Sequence, residues 1–323
     1  MPANLSPDFK AAEERFRQAE TTEEKIMALQ EMLSTIPKHK GTEKMQADIK
    51  KRLAKLKVES QRKSKGPRKK PAYIIDREGA GQIAVVGPPN SGKSSLIGAL
   101  SGAEPEVAAY PFTTRMPQPG MVRYENIQVQ LVDYPPLSRE FMPPWLLSTV
   151  RAADALLIVF DLADDDLLEH SEMVMEVLKE GKMEVVAQDP APQQRRVFVV
   201  AQKSDSEHAE VHLELLKEVL DPTLPFMTVS AHTGDNLDLL RKEIFQLLDK
   251  VRIYTKIPGK KPDRDAPFVV RRGTTVIEAA AVVHNDIARS LKFARIWGET
   301  TYEGQMVQRD YVLQDEDVIE FHI

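Results

Sequence analysis

The sequence predicts an α/β domain on a mainly parallel sheet, preceded by a helical hairpin and followed by a small α+β module. Three observations carry that reading. Charge falls into three blocks: residues 1–71 hold 18 Lys/Arg against 10 Asp/Glu, 72–251 hold 15 against 28, and 252–323 hold 11 of each. Short apolar runs alternate with helical stretches through the middle block only. A glycine-flanked GKS sequence stands between the first such run and the helix after it.

In the first block, 13–30 is rich in Ala, Glu, Gln and Lys and reads as a helix. Pro37 interrupts, and a second helix is expected from about Thr42, with Met45, Ile49, Leu53 and Leu56 on one apolar stripe. The segment 61–71 is too polar and too Pro/Gly-interrupted to pack, and reads as a linker or as a basic arm that orders on a partner. In the second block, strands are expected at 82–86, 121–124, 127–132, 155–160 and 197–200, and helices from Ser94, over 213–220 and over 237–248. In the third, 268–270, 292–297 and 318–322 read as strands. There 276–290 reads as a helix with Ile277, Ala280, Ala281 and His284 on one side. The expected units are therefore 1–71, 72–251 and 252–323.

Composition narrows the chemistry. The chain has no cysteine, which excludes a disulfide scaffold, a thiolate metal site and a cysteine nucleophile, and suits a reducing cytoplasm. No apolar run approaches the roughly 18 residues of a membrane span, so no membrane contact is expected. The seven histidines lack metal-ligand spacing.

Gly87-Pro88-Pro89-Asn90-Ser91-Gly92-Lys93-Ser94-Ser95 contains G-x-x-x-x-G-K-[ST]. Its backbone N–H groups would turn inward around α- and β-phosphates, Lys93 would reach the β/γ oxygens, and the Ser94 hydroxyl would bind Mg²⁺. The helix that follows adds its positive N-terminal end. Gly87, Asn90, Ser91, Gly92 and Ser95 complete the expected phosphate cradle. The choice of base rests on Gln202-Lys203-Ser204-Asp205: a carboxylate at Asp205 accepts two hydrogen bonds from guanine N1 and N2, which adenine does not offer. Lys203 can lay its stem over the base. Ser230-Ala231, after another apolar segment, is placed to offer a backbone N–H to guanine O6.

With these motifs the chain resembles the translation-factor-like GTPases, specifically the Obg group and its developmentally regulated GTP-binding protein (DRG) branch. Tyr110-Pro111-Phe112-Thr113-Thr114 is similar to that group's second motif, and the resemblance implies that Thr114, with Thr113 as fallback, coordinates Mg²⁺ when a γ-phosphate is present. The tail, from Val251-Arg252-Ile253-Tyr254-Thr255-Lys256 through Ile296-Trp297-Gly298 to Asp315-Glu316-Asp317, resembles the C-terminal TGS domain of that branch, a β-grasp module. Residues 36–42 and the basic helix after them also resemble its N-terminal region. The fold implied is a P-loop GTPase domain between a helical region and a TGS-like domain.

The resemblance implies a catalytic set of Lys93, Thr114 and Asp133, with Ser94, Thr114 and Asp133 as metal ligands, and slow hydrolysis of GTP to GDP. It implies partners among ribosomes or structured RNA, met through the basic N-terminal region and the TGS-like domain. Several GTPases with G-x-P-N-x-G-K-S loops use the Asn to bind K⁺, which gives Asn90 that role beside the simpler one of stabilising its loop.

The chain also departs from the family. Asp133-Tyr134-Pro135-Pro136 stands where the family has Asp-x-x-Gly, and proline lacks the N–H that the glycine gives to the γ-phosphate. Its loss is expected to weaken GTP-over-GDP sensing unless another donor substitutes. Leu137 follows where some GTPases place a water-orienting Gln. Gln202 replaces the usual Asn, and with only about 40 residues between Leu162 and Gln202 the small extra domain of DRG proteins is absent. The alternative function is a nucleotide-binding RNA or ribosome adaptor with little or no switching.

Overall fold

The computed structural model describes residues 7–19, 22–36, 42–63, 71–102, 116–140, 142–186, 194–299 and 303–323. The chain divides into two compact units, Met1–Pro71 and Ala72–Ile323.

The first unit holds α1 (Pro7–Gln18), α2 (Thr22–Thr35) and α3 (Glu43–Lys63). The single helix expected over 13–30 is instead two, so the unit is a three-helix arrangement and not a hairpin. Thr21-Thr22 supplies the reason in sequence, since threonine is a poor helix-interior residue and a favoured one at helix starts, where its hydroxyl accepts from the first turn. Phe9 and Ala12 of α1, Leu29 and Met32 of α2, Ile36 just after α2 and Ile49 of α3 form the core, with Leu53 and Leu56 packed against it. Met45, placed on that stripe by its spacing, is exposed.

The second unit begins with β1 (Gln82–Val86), α4 (Lys93–Ser101), β2 (Gln118–Tyr124) and β3 (Ile127–Asp133). It continues through α5 (Leu146–Ala152), β4 (Ala155–Asp161), α6 (Leu167–Glu180), β5 (Glu184–Val186) and β6 (Gln194–Gln202). After α7 (Ala209–Val219), β7 (Phe226–Val229) and α8 (Leu237–Leu247) complete the first sheet and its cover. The strand order is β2-β3-β1-β4-β6-β5, with β7 also on β6. Among the described strands of this sheet the β2–β3 pair is the antiparallel one, a hairpin turned at Glu125-Asn126. The others are parallel, as strands joined through covering helices require.

Alternation along each strand feeds two cores. Ala84, Val86, Ile158 and Val199 face α5, α6 and α7 on one side, joined by Leu146, Val174 and Leu216. Ile83, Val85, Leu157 and Val200 face α4 and α8 on the other, joined by Leu96, Leu240 and Ile244. Both faces being covered explains why the strands read as unbroken apolar runs.

The chain passes directly into a second sheet through β8 (Lys250–Thr255). Then come β9 (Phe268–Arg271), α9 (Val276–Val283), α10 (Asn285–Ser290), β10 (Phe293–Trp297), β11 (Gln305–Val307) and β12 (Asp317–His322), in the order β11-β10-β12-β8-β9. The one helix expected over 276–290 breaks at His284, whose backbone is extended and whose ring accepts from the Asp286 N–H. The buried face is Val276, Ala279 and Ala280; Ala281 and His284 are exposed. A capping box between Thr275 and Glu278 fixes where α9 starts, and so which face turns inward.

The two sheets meet at Arg252, which is 3% exposed. Its guanidinium bonds Glu125 at the hairpin turn, Asp315 at 2.7 Å and Glu316 at 2.9 Å, and lies over the rings of Tyr124 and Phe245. Asn126 adds bonds to the Tyr254 hydroxyl at 2.8 Å and the Arg264 carbonyl at 2.9 Å. A buried guanidinium needs this many partners to offset its desolvation.

Candidate functional site

The site lies where ligands of parallel α/β sheets are found, outside the carboxyl ends of the strands. The turn from β1 into α4 is the phosphate loop. Gly87 leaves β1 where a Cβ would stand 2.3 Å from the Val159 carbonyl oxygen, so only glycine lets the loop cross β4 there. Gly92 has φ +78 and caps α4; a Cβ on it would stand 2.2 Å from Nε2 of Gln202. Asn90 is also left-handed, at φ 59, and exposed.

Lys93 is the first residue of α4, and its ammonium turns back into the loop. It donates to the carbonyls of Pro88 at 2.8 Å and Gly87 at 3.4 Å, and to the Ser91 hydroxyl at 3.2 Å. Ser91 is buried and itself donates to the Pro88 carbonyl. Burial draws the Lys93 ammonium down to about 8, against the pull of the Asp133 charge.

Asp133 ends β3 opposite Val85 of β1, which brings it beside the loop. Its Oδ2 accepts from the Ser94 hydroxyl at 2.5 Å. Its Oδ1 is buried without a hydrogen-bond partner. Burial pushes this carboxyl above the usual range, and the Ser94 bond and Lys93 charge oppose the shift. A hydroxyl and a half-satisfied carboxylate in contact form a hard oxygen pair, which fits Mg²⁺. Thr114, the other expected ligand, lies outside the described residues, as do Tyr110 to Thr113.

The base side is built by β6 and β7. Gln202 ends β6, is buried, and donates from Nε2 to the Gly92 carbonyl at 3.1 Å, which ties the base strand to the phosphate loop. Its Oε1 is buried without a partner. The added methylene of Gln over Asn is used here to reach the loop. Lys203 is left-handed at φ 62 and its ammonium pairs with Asp161 at the end of β4.

Asp205 is held below the usual carboxylate range, first by a hydrogen bond from the Ser230 hydroxyl, then by a backbone N–H and by His232. Ser230 follows β7 and is fully buried; its Oγ accepts from the N–H groups of His232 at 3.2 Å and Thr233 at 3.1 Å. Asn90, Gly92, Ser95, Lys203, Asp205 and Ala231 line one cavity of about 860 Å³. Every sequence-expected residue outside the undescribed segment is therefore gathered along one edge of the sheet. Sequence reasoning missed Asp161, whose signal is its place as the first polar residue after a buried strand, and His232, whose Nδ1 is 3.6 Å from Asp205. Among the described residues there is no cluster of three metal-ligating side chains besides.

A phosphate loop, a buried lysine and a polar base pocket at one sheet edge define a P-loop nucleotide-binding protein. Comparison with known proteins agrees. The family described as 50S ribosome-binding GTPase matches residues 82–203, and the TGS domain family matches 251–323. An uncharacterized GTP-binding protein of Methanocaldococcus jannaschii is 30% identical over 92% of this chain and 92% of its own length. Developmentally-regulated G-protein 3 of Arabidopsis thaliana is 25% identical over 93% of this chain and 98% of its own. The solved Schizosaccharomyces pombe YchF GTPase shares the fold, with a TM-score of 0.54 at 14% identity over 78% of this chain and all of its own. The chain belongs to the Obg-group GTP-binding proteins, DRG branch, with a C-terminal TGS domain.

Proposed function

We propose that the chain binds GTP and GDP with Mg²⁺, hydrolyses GTP slowly, and works on ribosomes or structured RNA in the cytoplasm. The carrying observation is Asp205. Its carboxylate accepts a hydrogen bond from the fully buried Ser230 and lines the same cavity as the phosphate loop. Guanine offers that carboxylate two donors and adenine none on the matching edge, so the pocket favours guanine.

In this reading the loop N–H groups and Lys93 orient the phosphates. Ser94, Asp133 and Thr114 hold Mg²⁺, which when bound neutralises charge on the β- and γ-oxygens. Gly87, Asn90, Ser91, Gly92 and Ser95 line the phosphates, and Gln202, Lys203, Asp205, Ser230 and Ala231 surround the base. Positioning of water in line with the γ-phosphate has little help from side chains: Leu137 is apolar and fully buried in the core beneath α5. That supports slow turnover. K⁺ at Asn90 is the added cation to look for.

Ribosome or RNA contact is supported by the excess of basic residues in 1–71, where exposed Lys50, Lys51, Arg52 and Lys55 lie on α3. It is supported too by the description of the matching family. Phosphate release measured with and without ribosomes, in KCl and in NaCl, tests the whole reading. Stimulation by ribosomes is the expected result; no turnover in any condition would leave nucleotide binding without hydrolysis.

A further inference from the structure

The chain after Asp133 is fastened more tightly than a nucleotide-sensing segment should be. The Tyr134 N–H donates to the Val85 carbonyl at 3.2 Å, and the Leu137 N–H to the Gly87 carbonyl at 3.0 Å. Between them stand Pro135 and Pro136, which have no N–H and a fixed φ. Every N–H that residues 134–137 possess is thus already spent, one on β1 and one on the phosphate loop itself. The side chains reinforce this. Tyr134 is 2% exposed and Leu137 0%, both in the core with Leu146 and Val150 of α5.

We infer that Tyr134 to Leu137 is a fixed strut, and that Pro136 and Leu137 set the nucleotide-state specificity of this site: guanosine di- and triphosphate are held with nearly equal affinity. The inference rests on the guanine-nucleotide reading above and specifies how that site is regulated. A third phosphate finds no donor on the strut. Freeing the Leu137 N–H would break its bond to Gly87 and draw a buried leucine out of the core. One charge-assisted bond to a phosphate oxygen is worth about ten- to a hundredfold in affinity, and that is the factor the strut forgoes. The state of the nucleotide is therefore not written into this part of the fold.

The test uses the full chain with Mg²⁺ and two fluorescent ligands, labelled GDP and a labelled non-hydrolysable GTP analogue. Amide hydrogen exchange of the peptide spanning Asp133 to Ser138 is followed in both complexes. The expected result is dissociation constants within about threefold of each other and the same slow exchange at Tyr134 and Leu137. Pro136→Gly restores an N–H at the switch position and is expected to raise the preference for the analogue about tenfold. Pro136→Ala does so with less added backbone freedom, should the glycine variant fold poorly. A preference above tenfold in the unaltered chain, with exchange that changes between ligands, overturns the inference while leaving the guanine reading intact. An unchanged ratio in both variants removes Pro136 as the determinant. Failure of both guanine ligands to bind removes the underlying reading instead.

Discussion

The base side and the phosphate side of the cavity are built on opposite terms. On the base side the charged groups are paired with polar neighbours, although Gln202 keeps its Oε1 without a partner: Ser230 holds Asp205, Asp161 holds Lys203, and Gln202 Nε2 holds Gly92. On the phosphate side the charges are buried and underpaired. Lys93 has only neutral oxygens as hydrogen-bond partners, and Asp133 keeps one oxygen with none. The first side is a template whose charges are already paired, and the second carries an electrostatic cost that a ligand relieves. Removing a group from the template should change which base is chosen. Removing one from the phosphate side should abolish binding and yet spare the ligand-free fold.

Lys93→Met gives the largest effect. Nucleotide affinity is expected to fall at least about a hundredfold by calorimetry, while the melting temperature without ligand holds or rises, because a desolvated charge has gone. A large drop in ligand-free stability would break the contrast between the two sides. Asp133→Ala comes next. Affinity in Mg²⁺ is expected to fall to the level measured for the unaltered chain in chelator, a loss of about ten- to a hundredfold.

Asp205→Ala is expected to weaken GDP binding about thirty- to a hundredfold and to leave ADP binding where it was. An ordinary aspartate is already ionised down to about pH 5, and Ser230 lowers Asp205 further, so its contribution should stay flat from pH 8 down to about 5 and be lost only as pH falls through the lowered value. A fall in GDP affinity between pH 7 and 5 that Asp205→Ala also shows would place its origin elsewhere. Ser230→Ala, the smallest change, is expected to weaken GDP by about 1 kcal/mol and to bring that fall to higher pH. Each base-side variant sharpens the comparison if ADP is unaffected.

Much of this was legible in the sequence, where residue type and backbone requirement coincide. Gly87, Gly92, Lys93 and Ser94 announce a phosphate loop because no other residue types fit that turn and that charge. Asp133, Gln202 and Ser230 are readable as polar residues ending or following buried strands. Most of the elements that escaped lack a long period, although α6 escaped too, at fourteen residues with Leu167, Ser171, Val174 and Leu178 on its buried face. α5 is seven residues long, and β5 and β11 are three each; runs this short hold too few repeats to distinguish from loops. β8 escapes for another reason: its Arg252 looks like a surface residue, and only the carboxylates of distant segments make its burial possible. The missing glycine at Pro136 is visible in sequence, but the spent N–H of Leu137 is not, since its acceptor lies on the carbonyl of Gly87, fifty residues earlier in the chain.

The most direct test of the account is a side-by-side titration of the full chain with GTP analogue, GDP and ATP analogue in Mg²⁺. The template on β6 and β7 predicts that the adenine nucleotide binds at least about a hundredfold more weakly than either guanine nucleotide, and the strut after Asp133 that the two guanine nucleotides bind within about threefold of each other. Equal binding of the adenine nucleotide would contradict it.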